Sequence, residues 1–243
     1  MTATPKLQPG FAYVWRVALD DAREAEMMRP LLSDAERARA DRFYTDELRT
    51  RYITAHAWTR RILAHHVAMA PEALAFQEGS FGKPSLWGPA ARAGVHFNLA
   101  HAGGAALIAL SQDGPIGVDI ERWDCETDHL QLAEEFFSPA ERSELRSLAG
   151  NRTALIAGFF AAWTRKEAYL KATGDGITRG LHHFDVSLSP GIPARLIEDR
   201  MHRNATREWA MDNLPVGEGF SGAVVARAPL NRALLFDGDV VKF

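Results

Sequence analysis

The chain has 243 residues, 47% of them hydrophobic and 24% charged, which is the composition of a globular protein able to build its own core. A net charge of −3 argues against nucleic-acid or membrane binding by the whole surface. The single cysteine, Cys125, excludes an internal disulfide framework and fits a reducing compartment. With no signal-like apolar run at the N-terminus and no long apolar segment, we expect a cytoplasmic protein.

The first part of the chain predicts one strand followed by two helices. Alternating apolar residues over Phe11–Leu19 indicate the strand. Ser33 and Glu36 have capping-box spacing, so a helix should begin at about residue 34, and a longer amphipathic helix is predicted over about residues 46 to 66. Seven arginines crowd this segment, from which we expect a local basic face suited to phosphates or an acidic partner: Arg37, Arg39, Arg42, Arg49, Arg51, Arg60 and Arg61.

The next segment predicts a loop and then a β-hairpin. Glycine and proline are frequent over Gly79–Gly94, which indicates a loop that carries Lys83. Val95–Leu99 and Ala105–Ser111 have strand composition, and the glycine-containing turn between them predicts the hairpin. His101 should lie at the end of the first of these strands. A lone histidine of this kind is more often structural than functional.

Two carboxylates alternate with apolar residues immediately after this hairpin. The pattern predicts a strand with Val118 and Ile120 facing a core and with Asp119 and Glu121 on the opposite face. Two carboxylates on one face repel each other and, unless both are solvated, favour a cation between them. Oxygen ligands alone suit a hard ion such as magnesium, whereas a solvated strand edge is the alternative for this stretch by itself.

The second part of the chain repeats features of the first. Ser138 and Glu141 form another capping box, and the tetrapeptide Ala-Trp-Thr-Arg occurs around both Trp58 and Trp163. One offset of 105 residues separates Ser33 from Ser138 and Trp58 from Trp163. We therefore predict an internally duplicated α+β chain, each half with a long helix on a small, mostly antiparallel sheet. The expected halves are residues 1–114 and 115–243, with the active site at their interface.

The second long helix, predicted over about residues 154 to 173, carries a candidate chemical group. Trp163, Glu167 and Lys171 are spaced by four and share one helix face. A weak, exposed pair of Glu167 with Lys171 is the alternative, but Trp163 on the same stripe indicates a covered face. A covered carboxylate and ammonium beside Asp119 and Glu121 would hold a divalent ion and leave a cation for a phosphate.

An ordered set of short motifs gives the sequence a resemblance to a known family. The chain resembles the 4′-phosphopantetheinyl transferases of the two-lobed, surfactin-synthetase-activating type, in the branch with Trp and Lys-Glu-Ala. The motifs are Gly82-Lys83-Pro84, Phe97-Asn98-Leu99-Ala100-His101, Ile116–Glu121 and Phe160–Lys171. The resemblance implies that family's α+β fold of two pseudo-symmetric halves. It also implies magnesium-dependent transfer of the phosphopantetheine arm of coenzyme A to a serine of an apo acyl or peptidyl carrier protein, with release of 3′,5′-ADP.

The resemblance also implies roles for particular residues. Glu167 would be the general base for the incoming serine, and Lys171 would neutralise charge on the leaving phosphate. Arg39 and Arg51 are assigned to the 3′-phosphate end of the coenzyme. By role, the implied residues are the magnesium ligands Asp119, Glu121 and Glu167, the catalytic residues Glu167 and Lys171, and the coenzyme-binding residues Lys83, His101, Arg39, Arg51, Asp119 and Lys171.

The sequence departs from the family pattern at one point and leaves two alternatives open. Alanine stands at Ala100 and Ala102, where family members usually carry a serine beside the histidine, so one phosphate hydrogen bond is in doubt. A non-catalytic module that binds coenzyme A and a carrier protein is the first alternative, and a magnesium-dependent phosphodiester hydrolase is the second. Because one duplicated chain can complete the site, we expect a monomer.

Overall fold

The computed structural model describes residues 5–79, 81–176 and 179–238. Its helices are α1 (Ala22–Met28), α2 (Asp34–Ala40), α3 (Asp46–Val67), α4 (His129–Phe136), α5 (Pro139–Ser147), α6 (Arg152–Thr173) and α7 (Ala205–Glu208). Its strands are β1 (Phe11–Ala18), β2 (Ala75–Glu78), β3 (Pro84–Trp87), β4 (His96–Ala102), β5 (Ala105–Ser111), β6 (Gly117–Arg122), β7 (Phe184–Val186), β8 (Leu196–Asp199), β9 (Trp209–Asn213), β10 (Phe220–Arg227) and β11 (Arg232–Asp237).

Two sheets stack against each other, and one long helix covers each outer face. The first sheet has the strand order β11-β1-β5-β4 and the second has the order β6-β10-β9. Since neighbouring residues of a strand point to opposite faces, Trp15 of β1 packs in the core under α3, whereas Val14 packs in the core between the sheets. A third core lies between the second sheet and α6. The resulting layers are helix, sheet, sheet and helix, as expected of an α+β fold.

The duplication predicted from the sequence is visible in the long helices and their supports. Helices α3 and α6 have 22 residues each, and both predicted capping boxes form, at Ser33 with Glu36 and at Ser138 with Glu141. In each half a buried cation of the long helix contacts the capping-box glutamate. The distances are 2.6 Å from Arg60 to Glu36 and 2.8 Å from Lys166 to Glu141. The two halves therefore share one way of fixing the long helix to the preceding short helix.

Several local predictions need correction. The hairpin is confirmed as antiparallel β4 and β5, but the predicted loop Gly79–Gly94 contains strand β3 and a 3₁₀ segment, Gly88–Ala93. Strand β3 is held by antiparallel pairing with β2, which the glycine and proline content of the segment did not predict. Strand β11 adds to the first sheet in parallel with β1, so the chain returns to the N-terminal half. The division at residue 114 stays a prediction. No helix of the described residues is long and apolar enough to cross a membrane.

Candidate active site

The two carboxylates of β6 lie on the face of the second sheet that packs against α6. Val118 and Ile120 are buried in the core between the sheets, which confirms the predicted alternation. Asp119, on the other face, is only 4% exposed, and Glu121 is half-buried. A solvated strand edge, the alternative left open for this stretch, is therefore wrong for Asp119. Such burial of a carboxylate requires partners that stabilise its charge or a shift toward its protonated form.

Gly117 determines how closely α6 approaches β6. A Cβ atom at this residue would lie 2.0 Å from the carbonyl oxygen of Ala168 and 2.4 Å from the backbone nitrogen of Ala172. Only glycine fits such a contact, because any side chain would push the helix away from the strand. The helix therefore brings Glu167 and Lys171 down onto the strand that carries Asp119.

Lys171 pairs with Asp119 rather than with Glu167. The ammonium of Lys171 donates to Oδ1 of Asp119 over 2.6 Å. The second oxygen of that carboxylate, Oδ2, and the Oε1 atom of Glu167 are buried without a hydrogen-bond partner. The Trp163 side chain lies close enough to Glu121 to lower the pKa of that carboxyl, so the predicted stripe of Trp163, Glu167 and Lys171 does face the strand. Two buried carboxylate oxygens thus remain available to a ligand.

Burial raises the pKa of all three carboxylates of the site. Burial raises the pKa of Asp119 to about 7, and the charges of Glu121 and Glu167 add to the rise while Lys171 opposes it. Burial also raises the pKa of Glu121 and of Glu167, again against the charge of Lys171. One lysine does not balance three carboxylates, so a further cation at this point would stabilise their ionised forms.

The residues fit a magnesium ion that completes its shell with other ligands. Among the described residues, no three Asp, Glu, His or Cys side chains are already arranged to hold a metal ion. The unpartnered oxygens of Asp119 and Glu167 nevertheless offer two carboxylate ligands. Magnesium commonly takes only one or two carboxylates and keeps waters and substrate phosphates as its other ligands. The donor set therefore fits a shared site between protein and a phosphate-bearing substrate.

Lys83 reaches the same region from the N-terminal half. Its ammonium donates to the carbonyl oxygen of Ile116 over 2.8 Å and to the carbonyl oxygen of Lys171. No carboxylate balances this charge in the described part of the chain, and desolvation lowers the pKa of Lys83 to about 8. Ile116 immediately precedes β6 and Lys171 belongs to α6, so Lys83 lies beside the two elements that carry the carboxylates.

A cavity connects these groups. It has a volume of about 280 Å³, and it is lined by Phe81, Lys83, Asn98, Glu167 and Lys171 among others. A second cavity of about 270 Å³ shares Phe81 and Lys83 with the first and is also lined by His96 and Phe97. A ligand that filled both would extend along the turn from the carboxylates.

The predicted phosphate-binding residues of the N-terminal half fall into two groups. His101 is the next-to-last residue of β4 and is exposed on one side. The protein atoms around its imidazole desolvate it, and this effect, followed by the charges of His56, Lys171 and Arg51, lowers its pKa. His101 and Arg51 are thus within electrostatic reach of each other and of the site. Arg51 also pairs with Asp20 and with Glu47, each over 2.6 Å.

Arg39 stands apart from this group. Its guanidinium carbon lies 5.6 Å from the centre of the Tyr52 ring. No contact among the described residues joins Arg39 to the carboxylates. Only a ligand that extends well beyond the carboxylates could reach this exposed cation. The assignment of Arg39 to the 3′-phosphate end of the coenzyme stays a prediction.

Three residues near the site were not assigned a role from the sequence. Oδ1 of Asn98, on β4, accepts a hydrogen bond of 2.8 Å from the backbone N–H of Val118. The charge of His56, on α3, lowers the pKa of His101. The Cδ atom of Arg122, on β6, would lie 3.5 Å from a Cβ atom added at Gly103, so this side chain is next to the turn that follows His101. Asn98 stood inside a quoted motif and could have been singled out, whereas His56 and Arg122 carried no spacing signal.

The carboxylates, the lysines and the cavity beside them are the groups of an enzyme that transfers a phosphorus-containing group. Paired buried carboxylates, a lysine between them and a cavity bordered by further cations suit transfer of a phosphorus-containing group, where positioning and charge neutralisation supply most of the catalysis. Lys83 and Asn98 connect the N-terminal part of the chain with the strand and helix that carry the carboxylates. Ligands commonly bind at such junctions.

Comparison with known proteins identifies the family. A family model described as the 4′-phosphopantetheinyl transferase superfamily matches residues 115–225. The 4′-phosphopantetheinyl transferase HetI of Nostoc sp. is 40% identical over 185 residues, which cover 76% of this chain and 77% of that protein. The 4′-phosphopantetheinyl transferase psf-1 of Bacillus pumilus is 35% identical, over 73% of this chain and 74% of that one. For Sfp of Bacillus subtilis, identity is 28% over 68% and 70%.

The chain belongs to the 4′-phosphopantetheinyl transferase family. Its fold is the α+β fold of that family, and its activity is that of a transferase that places phosphopantetheine on carrier proteins. Coenzyme A is the substrate that the family uses. The resemblance drawn from the sequence motifs is thereby confirmed.

Proposed function

We propose that this protein transfers the 4′-phosphopantetheine arm of coenzyme A to a serine of an apo acyl or peptidyl carrier protein, releasing 3′,5′-ADP in a magnesium-dependent reaction. The observation that carries the proposal is the pair of unpartnered buried oxygens on Asp119 and Glu167, beside the ammonium of Lys171. Such a group suits a bound ion together with a pyrophosphate.

Asp119, Glu121 and Glu167 would hold magnesium against the pyrophosphate of coenzyme A. When bound, the ion would neutralise phosphate oxygens and polarise the phosphorus toward attack. The protein's own part is to keep these carboxylates together at a cost. The raised pKa values of all three reflect that cost, because burial removes water from the ionised carboxylates; for Asp119 and Glu121 the charge of neighbouring carboxylates adds to it.

The other cations would bind the phosphates of the coenzyme. Lys83 has one N–H group beyond the two that donate to carbonyl oxygens, and it lines both cavities. His101 and Arg51 would bind toward the 3′-phosphate, with Arg39 at the periphery. Arg51 would exchange part of its pairing with Asp20 and Glu47 for that phosphate.

The transfer itself needs one proton acceptor and one cation at the leaving group. The serine hydroxyl of the carrier attacks the phosphorus of the phosphopantetheine phosphate, a P–O bond forms, and the bond to the 3′,5′-ADP phosphate breaks. Glu167 accepts the serine proton, a role favoured by the raised pKa of its carboxyl. Lys171 stabilises the charge that develops on the departing phosphate.

The test is the intact mass of an apo carrier protein after incubation with this protein, coenzyme A and magnesium. We expect the parent protein to add the mass of one phosphopantetheine arm and Glu167→Ala to add none. Glu135→Ala, an exposed glutamate on α4, is the matched control and should transfer normally. Coenzyme A binding without transfer to several carriers would favour the non-catalytic binding module. Free phosphopantetheine without carrier would favour the hydrolase.

We also propose that the protein acts as a cytoplasmic monomer. Lys83 of the N-terminal half and Lys171 of the C-terminal half meet within one chain, which supports a site that needs no second copy. Light scattering coupled to size-exclusion chromatography would give the mass in solution. Full activity of a species with twice the chain mass, lost on dilution to monomer, would contradict the monomer.

A further inference from the structure

The turn between β2 and β3 makes more contact with the C-terminal half than a flexible ligand-binding loop requires. The ammonium of Lys83 bonds the carbonyl oxygens of Ile116 and Lys171, which belong to two different elements of that half. Phe81 of the same turn packs on Gly176, where an added Cβ atom would lie 2.8 Å from the Phe81 ring. The turn therefore contacts both the segment before β6 and the C-terminal end of α6, and it links the two.

The carbonyl oxygen of Lys171 needs such a donor because of its place in the helix. Helix α6 ends at Thr173, with Gly174 in the left-handed conformation and its N–H bonded to Leu170. The carbonyl groups of the last turn have no partners inside a helix, and the negative end of the helix dipole lies there. The Lys83 ammonium supplies a donor and a positive charge at that end, from 88 residues away along the chain.

Asn98 makes a second tie across the same boundary. Its side chain is 6% exposed, and its Oδ1 accepts the N–H of Val118, on an edge strand of the second sheet. Val118 immediately precedes Asp119, and Ile116 lies two residues before Val118. The ties of Lys83 and Asn98 thus fix the backbone on the N-terminal side of Asp119, while Lys83 also fixes the backbone of Lys171.

We propose that Lys83 is a positioning residue, which caps α6 from the N-terminal half and, together with Asn98, holds Lys171 and Asp119 in register for the transfer. Its role is then not limited to contact with a phosphate of the coenzyme. Two of its three N–H groups hold the protein's own backbone, and only the third remains for a ligand. The coenzyme-binding turn and the carboxylate-bearing elements consequently move as one unit.

The first measurement is hydrogen exchange of the ligand-free protein, followed by mass spectrometry of peptides from the end of α6 and the start of β6. We expect Lys83→Met to speed exchange in both peptides by about tenfold, since the helix end loses its donor. Arg92→Met, which removes an exposed cation of the same half, is the matched control and should leave both peptides unchanged. Unchanged exchange in Lys83→Met would overturn the proposal.

The second measurement separates positioning from phosphate contact, and it rests on the proposed transferase function. At saturating coenzyme A, we expect Lys83→Met to lower kcat about 10- to 100-fold, because small displacements of catalytic groups are costly. Lys83→Arg keeps a positive charge for a phosphate but not the compact ammonium, so it should restore KM for coenzyme A without restoring kcat. A change in KM alone, with kcat intact, would assign Lys83 to phosphate contact only.

The two measurements fail separately. If the parent protein shows no transfer, the proposed function fails while the exchange result still tests the helix cap. If Lys83→Met does not fold, judged by near-ultraviolet circular dichroism, Lys83→Arg and Asn98→Ala carry the test. Both should then speed exchange at the start of β6 or the end of α6, and parent-like exchange in both variants would refute the positioning role.

Discussion

Gly117→Ala tests whether the contact between α6 and β6 sets the geometry of the site. The added methyl carbon would lie 2.0 Å from the Ala168 carbonyl oxygen and 2.4 Å from the Ala172 nitrogen, distances that no real structure tolerates. Both neighbours are backbone atoms of a long helix, so relief requires the helix to shift by an ångström or more. Overpacking of this kind costs about 1–3 kcal/mol of unfolding free energy.

The same shift should affect activity more than stability. Glu167 and Lys171 lie on α6, whereas Asp119 lies on β6, so displacement of the helix separates groups that must act together. A displacement of about 1 Å can lower a rate about a hundredfold. We therefore expect Gly117→Ala to fold with reduced stability and to lose most of its transfer rate.

The assay pairs urea unfolding with the transfer rate, using Gly150→Ala as the control. A Cβ atom at Gly150 would meet nothing within 4 Å, so this substitution introduces alanine without a clash. The control should keep the parent rate, with a stability change within about 0.5 kcal/mol. If Gly117→Ala matched Gly150→Ala in both measurements, close approach of α6 would not be what sets the site.

Three further predictions concern charge. Because the pKa of Asp119 is raised to about 7, the native state holds a proton that the unfolded state releases from about pH 4 upward. The free energy of unfolding of the parent should thus fall relative to that of Asp119→Asn as pH rises toward 7. If urea unfolding gave the same difference between parent and variant at pH 5 and at pH 8, this prediction would be contradicted. Magnesium chloride should raise the Tm of the parent but not of Glu167→Gln; an equal rise would exclude Glu167 as a ligand. Lys166→Met should cost about 3–5 kcal/mol because it leaves the buried Glu141 carboxylate without its counter-ion. The Glu141→Gln, Lys166→Met double variant removes that charge and keeps an acceptor for one of the backbone N–H groups of Ser138 and Val186, so it should recover part of the loss in urea unfolding.

The motifs of this sequence predicted which faces carry the carboxylates and the helix stripe, but not the contacts that hold these groups together. Asp119 and Glu121 were readable because alternation on a strand assigns each residue to a face. The helix stripe of Trp163, Glu167 and Lys171 was readable for the same reason, with a different period. The pairing of Lys171 with Asp119 instead of Glu167 was not readable, since it depends on how closely two elements pack.

Contacts between distant segments account for most of what the sequence did not disclose. Lys83 bonds a helix end 88 residues later, and Asn98 bonds a strand 20 residues later. Neither partner is a side chain, so no pair of residue types signals the contact. The parallel pairing of β11 with β1 is of the same kind, because it follows from the path of the chain rather than from local pattern.

The duplication explains why one half could acquire a polar site without losing the fold. The strand residues that face the long helix of the N-terminal half, Tyr13 and Trp15, are buried and apolar, and Trp15 lies 5.6 Å from His66 between ring centres. Lys171 follows His66 by the repeat offset of 105 residues, and it contacts Asp119 on the corresponding face of β6.

The layer between strand and long helix that holds Trp15 and His66 in the first half therefore holds a carboxylate and a lysine in the second. Burying those charges costs stability, as the raised pKa of Asp119 shows. The core between the two sheets draws residues from both halves, among them Val14 and Val118, and it is independent of the helix-facing side of β6. That shared core contributes burial of apolar side chains that does not depend on the charged helix-facing layer, so the fold can keep that layer in only one of its halves.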